Sequence, residues 1–205
     1  MNKQTFDRDW EYTEMTGTMA MAFARWQPVD LPHDLSITRP RSASNPTAGG
    51  GGYAWSGVVT YRKRFQAPEA WRGQSVQLEF EGVYMNAEVS INRHLAALHP
   101  YGYTSFIVDL TPHIKYGAEN ELMVVVNNSA QPNSRWYSGT GIYRHVWLRT
   151  GPAAHIKPWG VFITTPAAEP SAATVSVVTE LAGPAAGAVL DRKSTRLNSS
   201  HLGIS

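Results

Sequence analysis

Apolar residues recur at every second position through much of this chain. In Val58 to Phe65, "VVTYRKRF", Val59, Tyr61 and Phe65 share one face while Thr60, Arg62 and Arg64 share the other. "SVQLEF" sets Val76, Leu78 and Phe80 on one side, and "AEVSIN" sets Val89 and Ile91 against Glu88, Ser90 and Asn92. "SFIVDL" offers Phe106, Val108 and Leu110. A period of two marks a strand with one face buried. "ELMVVVNN" is apolar on both faces, which predicts a central strand covered on each side. "HVWLRT" and "GVFITT" continue the series, and Gly, Pro and Asn punctuate the gaps. No segment sustains a helical period; "DLTPHI" offers one turn at most. Many short antiparallel strands with turns between them predict an all-β sandwich or barrel.

The pattern also divides the chain. After Leu148 the composition changes, and "RTGPAAHIKPW" reads as a crossing, so residues 1–150 are taken as one domain. "GVFITTP" and "ATVSVVTEL" then open a second β domain in residues 151–190, but the pattern stops in "AGPAAGAVL". About forty residues cannot close an immunoglobulin-like sandwich of about a hundred, so that domain is expected to be cut off. Asp191 to Ser205, "DRKSTRLNSSHLGIS", turns abruptly basic and polar. It resembles the in-frame translation of a common sequencing adapter, whose start, gatcggaagagc, encodes Asp-Arg-Lys-Ser. The adapter's next codons give Thr-Arg-Leu-Asn-Ser-Ser-His. Leu202-Gly203 would then take the place of a barcode and Ile204-Ser205 that of the constant sequence after it. Residues 191–205 are therefore read as a disordered, non-native tail and kept out of the fold reasoning. The chain is read as a fragment of a longer protein.

Composition narrows the function. A chain of 205 residues that is 42% hydrophobic and 17% charged can bury a sizeable core and is too apolar for disorder. The net charge of +2 comes with no Lys/Arg stripe ahead of the tail, so no nucleic-acid partner is expected. The absence of Cys excludes disulfides and thiolate metal sites, and the His residues lack ligand spacing, so neither a metal nor a cofactor is expected. "MNKQTFDRDW" has no signal-type apolar core, and no run of about eighteen apolar residues exists, which predicts a cytoplasmic protein with no membrane partner. The aromatic share is 11%, with Trp and Tyr prominent. Those side chains line surfaces that grip sugars, peptides or bases, and they also fill β-sandwich cores.

Four segments carry a family resemblance. They are "VDLPHDLSI" (Val29 to Ile37), "NPTAGGGGYAWSGVVTYRKRF" (Asn45 to Phe65), "LEFEGVYMNAEVSINRH" (Leu78 to His94) with "HPYGYTSFIVDLTPHI" (His99 to Ile114), and "NSRWYSGTGIYRHVWL" (Asn133 to Leu148). Their order and spacing resemble the amino-terminal sugar-binding domain of family 2 glycoside hydrolases, especially bacterial β-galactosidases, over roughly residues 5–150. Leu35 stands where the family usually has Trp, and Asn92-Arg93 where it often has Asn-Gly. The resemblance implies a jelly-roll, galactose-binding-like sandwich, then an immunoglobulin-like domain, then a (β/α)-barrel. In the family that barrel carries two Glu residues, acid/base and nucleophile, about 5 Å apart in a retaining enzyme. No barrel is present here, so no catalytic residue is assigned, and the fragment alone is expected to be inactive. The implied partners are a β-galactoside or related carbohydrate and the missing downstream domains, with self-association left open. Galactose, glucuronate, mannose and galacturonate specificities share this front end; a terminal β-galactoside is chosen on motif style. The alternative is a stand-alone carbohydrate-binding module.

The resemblance also implies where sugar is met, because a loop of this domain walls the family's galactose pocket. The candidates are Asn133, Arg135, Trp136 and Tyr137, together with Asp34. A Trp or Tyr face packs on the C–H face of a sugar, while Arg and Asn offer donors to hydroxyls. Alternatively, Trp136 and Tyr143 plug the sandwich. Tyr143 and Arg144 are read as structural, with Arg144 paired to a carboxylate. His33 and Asp34 either form a hydrogen-bonded pair, or Asp34 serves backbone N–H groups at a turn. "AGGGGY" lacks the Gly-Lys-Ser/Thr ending of a phosphate loop and is expected to let a loop cross close to another surface, such as a neighbouring domain. Tyr101 and Tyr103 are read as packed, with their polar tips satisfied. Glu79, Glu81 and Glu88 are read as structural or solvated. No Ser sits at a nucleophile elbow.

Overall fold

The structure is a computed structural model that describes residues 1–14, 23–184 and 187; the tail at 191–205 lies outside the described residues. The strands are β1 (Asn2–Thr5), β2 (Trp10–Thr13), β3 (Gln27–Val29), β4 (Val58–Ala67), β5 (Gln74–Phe80) and β6 (Ala87–Ile91). They continue with β7 (His94–His99), β8 (Phe106–Asp109), β9 (Ala118–Asn127), β10 (Val146–Pro152), β11 (His155–Glu169) and β12 (Ala172–Ala182). Among the described residues, helix is confined to single 3-10 turns at Leu35–Thr38 and Glu69–Trp71. "DLTPHI" makes one hydrogen-bonded turn, with the amides of His113 and Ile114 both donating to Leu110 O.

Two antiparallel sheets form the jelly-roll sandwich. One has the order β1-β10-β5-β8 and the other β3-β2-β4-β9-β6-β7. Their inner faces share one apolar core. Val76, Leu78 and Phe80 of β5, Phe106 and Val108 of β8, and Val146 and Leu148 of β10 come from the first sheet. Val59 and Tyr61 of β4, Val89 and Ile91 of β6, and Leu122, Val124 and Val126 of β9 come from the second. Register follows the alternation: Tyr61 lies opposite Val124, and Val124 lies opposite Val89. A one-residue slip would turn each of these sets outward.

Two positions depart from the alternation. Lys63 continues the inner face of β4 and is buried. Its ammonium donates to Arg8 O and lies 4.6 Å from the Phe6 ring, and burial lowers its pKa. β9 is central, as its apolar run predicts, but it is not covered on both sides, because Met123 and Val125 on its outer face stay half-buried. The doubly covered strand is β5, whose outward Ser75, Gln77 and Glu79 are also buried. Glu79 is held there by Lys3 at 3.1 Å and Arg149 at 2.6 Å. Glu81 accepts Trp147 Nε1 at 2.8 Å, while Glu88 is exposed.

β11 and β12 pair with each other as a long hairpin, with register shifts between Ile156 and Val161 and between Thr164 and Ala167. Four connections gather at the end of the sandwich where β4 and β10 begin and β5 and β9 end: β3–β4, β5–β6, β7–β8 and β9–β10. There Asn127 N donates to Met85 O, and Tyr84 exchanges two backbone bonds with Gly141, each 3.0 Å. The candidate site is built from these connections.

Candidate functional site

Asp34 organises the site. It caps the short turn at Leu35–Thr38, where its Oδ1 accepts Ser36 N at 2.9 Å. The same oxygen accepts Thr140 N at 2.8 Å from the β9–β10 connection, and Oδ2 accepts the Tyr137 hydroxyl. One carboxylate therefore ties two distant loops together. Burial and the bond to Asp34 raise the Tyr137 pKa, so the phenol stays a proton donor. His33 does not pair with Asp34. Its Nδ1 lies 2.8 Å from the Tyr61 hydroxyl, and burial lowers its pKa against the pull of the Asp34 charge. Of the two sequence readings of Asp34, the turn that serves backbone N–H groups is the one observed.

Behind Asp34 runs a buried polar chain that the sequence reading missed. Ser36 Oγ donates to Thr140 Oγ1 at 3.0 Å, and Asn128 Nδ2 reaches Thr140 Oγ1 and Gly139 O, each at 3.1 Å. Asn128 Oδ1 accepts from Gln131 Nε2 at 2.9 Å and Asn133 Nδ2 at 2.8 Å. None of its buried side-chain atoms is left without a partner, so the network stiffens the loop instead of penalising it. Glycines allow the close approach. A Cβ on Gly139 would lie 2.3 Å from Asp34 Oδ2. Gly141 has φ +152, and a Cβ there would lie 2.4 Å from both His33 O and the Tyr61 hydroxyl.

The other candidates sit on this stiffened loop. Asn133 turns its amide inward, with a further bond to Ala130 O at 3.1 Å. Arg135 is exposed, and its guanidinium makes no hydrogen bond or ion pair with the described residues. Trp136 is 59% exposed and is not a plug; its Nε1 donates to the Tyr103 hydroxyl at 2.7 Å. The buried plug is Ile142, while the half-buried Tyr143 anchors through a 2.7 Å bond to Gly102 O. Arg144 faces Glu81 at 3.9 Å. Tyr101 and Tyr103 are exposed rather than packed away. The surface that the glycine-rich loop crosses is this same loop, since a Cβ on Gly50 would lie 3.1 Å from Ser134 O.

Asp34, Tyr84, Tyr103, Tyr137 and Tyr143 border a shallow cleft of about 200 Å³; Asn133, Arg135 and Trp136 do not line it, although Trp136 is bonded to its edge through Tyr103. The cleft's lining is mainly tyrosine side chains, with the Asp34 carboxylate and the Ser138 hydroxyl among them. That combination suits a ligand with C–H faces and many hydroxyls. Among the described residues, no group of three or more His, Asp or Glu side chains is placed to hold a metal ion, and no helix is long and apolar enough to cross a membrane.

Comparison with known proteins places this geometry. A β-galactosidase of Bacteroides ovatus (BoGH2A) is 44% identical over 184 residues, an alignment covering 87% of this chain and 22% of that protein. A β-glucuronidase of Bacteroides fragilis is 32% identical over 168 residues, covering 77% of this chain and 23% of that protein. The crystal structure of a β-glycosidase from Bacteroides vulgatus superimposes with a TM-score of 0.79 at 32% identity, covering 90% of this chain and 24% of that one. The chain thus spans less than a quarter of the length of these relatives. The family model described as glycosyl hydrolases family 2, sugar binding domain, matches residues 6–152, the span that builds every strand of the sandwich but β1 and all of its loop-bearing end. This chain belongs to the family 2 glycosyl hydrolases.

Proposed function

We propose that the chain is the amino-terminal part of a retaining glycosidase that removes terminal β-galactosyl residues, and that Asp34, Asn133, Arg135, Trp136 and Tyr137 wall its sugar pocket. The observation that carries this reading is the Asp34-anchored loop. It holds an exposed indole, bonded to Tyr103 at the edge of the tyrosine-lined cleft, and an unpaired guanidinium on a rigid base. Rigid placement matters, because ordering a loose loop on binding would offset much of the contact energy. In this reading Trp136 and Tyr137 offer ring faces to C–H groups, Arg135 donates to hydroxyls, and Asn133 and Asp34 fix the loop. The reacting carboxylates lie on a barrel further along the full-length protein, and β11–β12 is the opening of the immunoglobulin-like domain between them. The galactoside choice is supported by the 44% identity to the Bacteroides ovatus β-galactosidase.

The test uses the full-length parent. Arg135→Ala and Trp136→Ala are each expected to lower kcat/KM for nitrophenyl β-galactoside by about tenfold or more, with little change in melting temperature. Unchanged kinetics in both variants would overturn the pocket role. A parent preference for β-glucuronide or β-mannoside would move the substrate. Galactose binding by a parent that hydrolyses no glycoside would make this a binding module.

A further inference from the structure

We infer that the saccharide bound at this end of the sandwich carries an acidic substituent, a sulfate ester or a uronate carboxylate, and that Arg39 and Arg41 receive it. The inference rests on the reading above, that this end meets sugar, and adds the charge of that sugar. Its basis is a second hollow of about 250 Å³, lined by Ser36, Ile37, Arg39, Arg41, Ala54 and Tyr137. Tyr137 also lines the tyrosine cleft, so the two hollows share one side chain. A substituent that reaches past Tyr137 from the cleft arrives in a hollow that both arginines line.

The hollow holds more positive charge than its own side chains answer, since no carboxylate lines it. Arg39 pairs with Glu14 through Nη2, which leaves most of its N–H donors unused. Arg41 donates to Gly52 O and forms no ion pair with the described residues, and the stretch 15–22 contains no Asp or Glu. Asp34 lines the cleft rather than this hollow, and its oxygens already accept Ser36 N, Thr140 N and the Tyr137 hydroxyl. Gly52 lets Arg41 settle against the backbone: its φ is +64, and a Cβ there would lie 2.5 Å from Arg41 Nη1. The guanidinium is thus held in place before any ligand arrives, and its planar fork matches the paired oxygens of a carboxylate or a sulfate. It also stands near the shared wall. Burial and the Asp34 bond raise the Tyr137 pKa, and the Arg41 charge opposes that rise.

The experiment measures binding to the full-length parent by calorimetry. Galactose is the neutral probe, and galactose 3-sulfate, galactose 6-sulfate and galacturonate are the acidic ones. At least one acidic probe is expected to bind about tenfold or more tighter than galactose, the scale of one charge-assisted pair. Whether a sulfate or the carboxylate binds tightest identifies the source of the charge. Arg41→Gln should cut the preference to about twofold or less while leaving galactose affinity unchanged. The ratio of acidic to neutral affinity is the deciding number, since a folding defect would lower both alike. Arg41→Lys keeps the charge without the fork and should retain part of the preference. Equal affinity for galactose and every acidic probe would overturn the inference and leave the pocket reading standing. A preference that persists when Arg39→Gln and Arg41→Gln are combined would also overturn it, because the anion would then be held elsewhere. A parent that binds none of the probes removes the pocket reading, and this inference with it.

Discussion

Asp34 holds its end of the sandwich with three hydrogen bonds, and only one of them is local. The bond to Ser36 N spans two residues, whereas those to Tyr137 and Thr140 span 103 and 106. The local bond is the sort of turn contact that "LPHD" announces; the other two depend on how the chain closes and leave no trace in spacing. For the same reason the Ser36–Thr140–Asn128 chain could not be read in advance, since isolated Ser, Thr and Asn residues look like ordinary loop composition. Asp34→Ala would leave the Ser36 and Thr140 amides without their acceptor, at a cost of about 2–4 kcal/mol in urea unfolding. Asp34→Asn keeps one oxygen for those amides and should cost less than half as much. Equal losses in the two variants would show that charge, rather than the bonds, is what Asp34 contributes.

Strands were the most legible part of the molecule, because alternation assigns an inner face directly. Val76, Leu78 and Phe80 of β5, and Val89 and Ile91 of β6, all lie in the core as their spacing predicts. Alternation says nothing about what covers an outer face. β9 was expected to be covered twice because both its faces are apolar, yet the covered strand is β5, through Glu79 and its two cationic partners. Lys63 was passed over because its charge hid an aliphatic stem that packs inward while the ammonium finds a carbonyl. Glu79→Ala should destabilise the chain by about 3 kcal/mol, since it strands a half-buried Arg149 beside an orphaned site on β5. Chemical denaturation would measure this, and replacing Arg149 with Met in the same chain should recover a good part of the loss.

At the scale of the whole molecule, the β11–β12 hairpin contrasts with the sandwich beside it. Phe162, Ile163 and Trp159 are 66%, 62% and 65% exposed. So many exposed apolar side chains on a two-stranded ribbon favour association. The isolated chain is expected to self-associate in sedimentation experiments at micromolar concentration, and Phe162→Lys with Ile163→Lys should shift it towards monomer. A wild-type chain that stays monomeric and melts sharply would contradict this. The position of β1 has a separate consequence. It pairs with β10, so Asn2 meets Thr150, and Val146 N donates to Asp7 across 139 residues of sequence. During synthesis, β1 leaves the ribosome long before its partner exists. At roughly 5–20 residues per second, it waits on the order of ten seconds with its hydrogen-bonding edge open. Translation speed and chaperone access therefore bear on whether this sandwich ever closes.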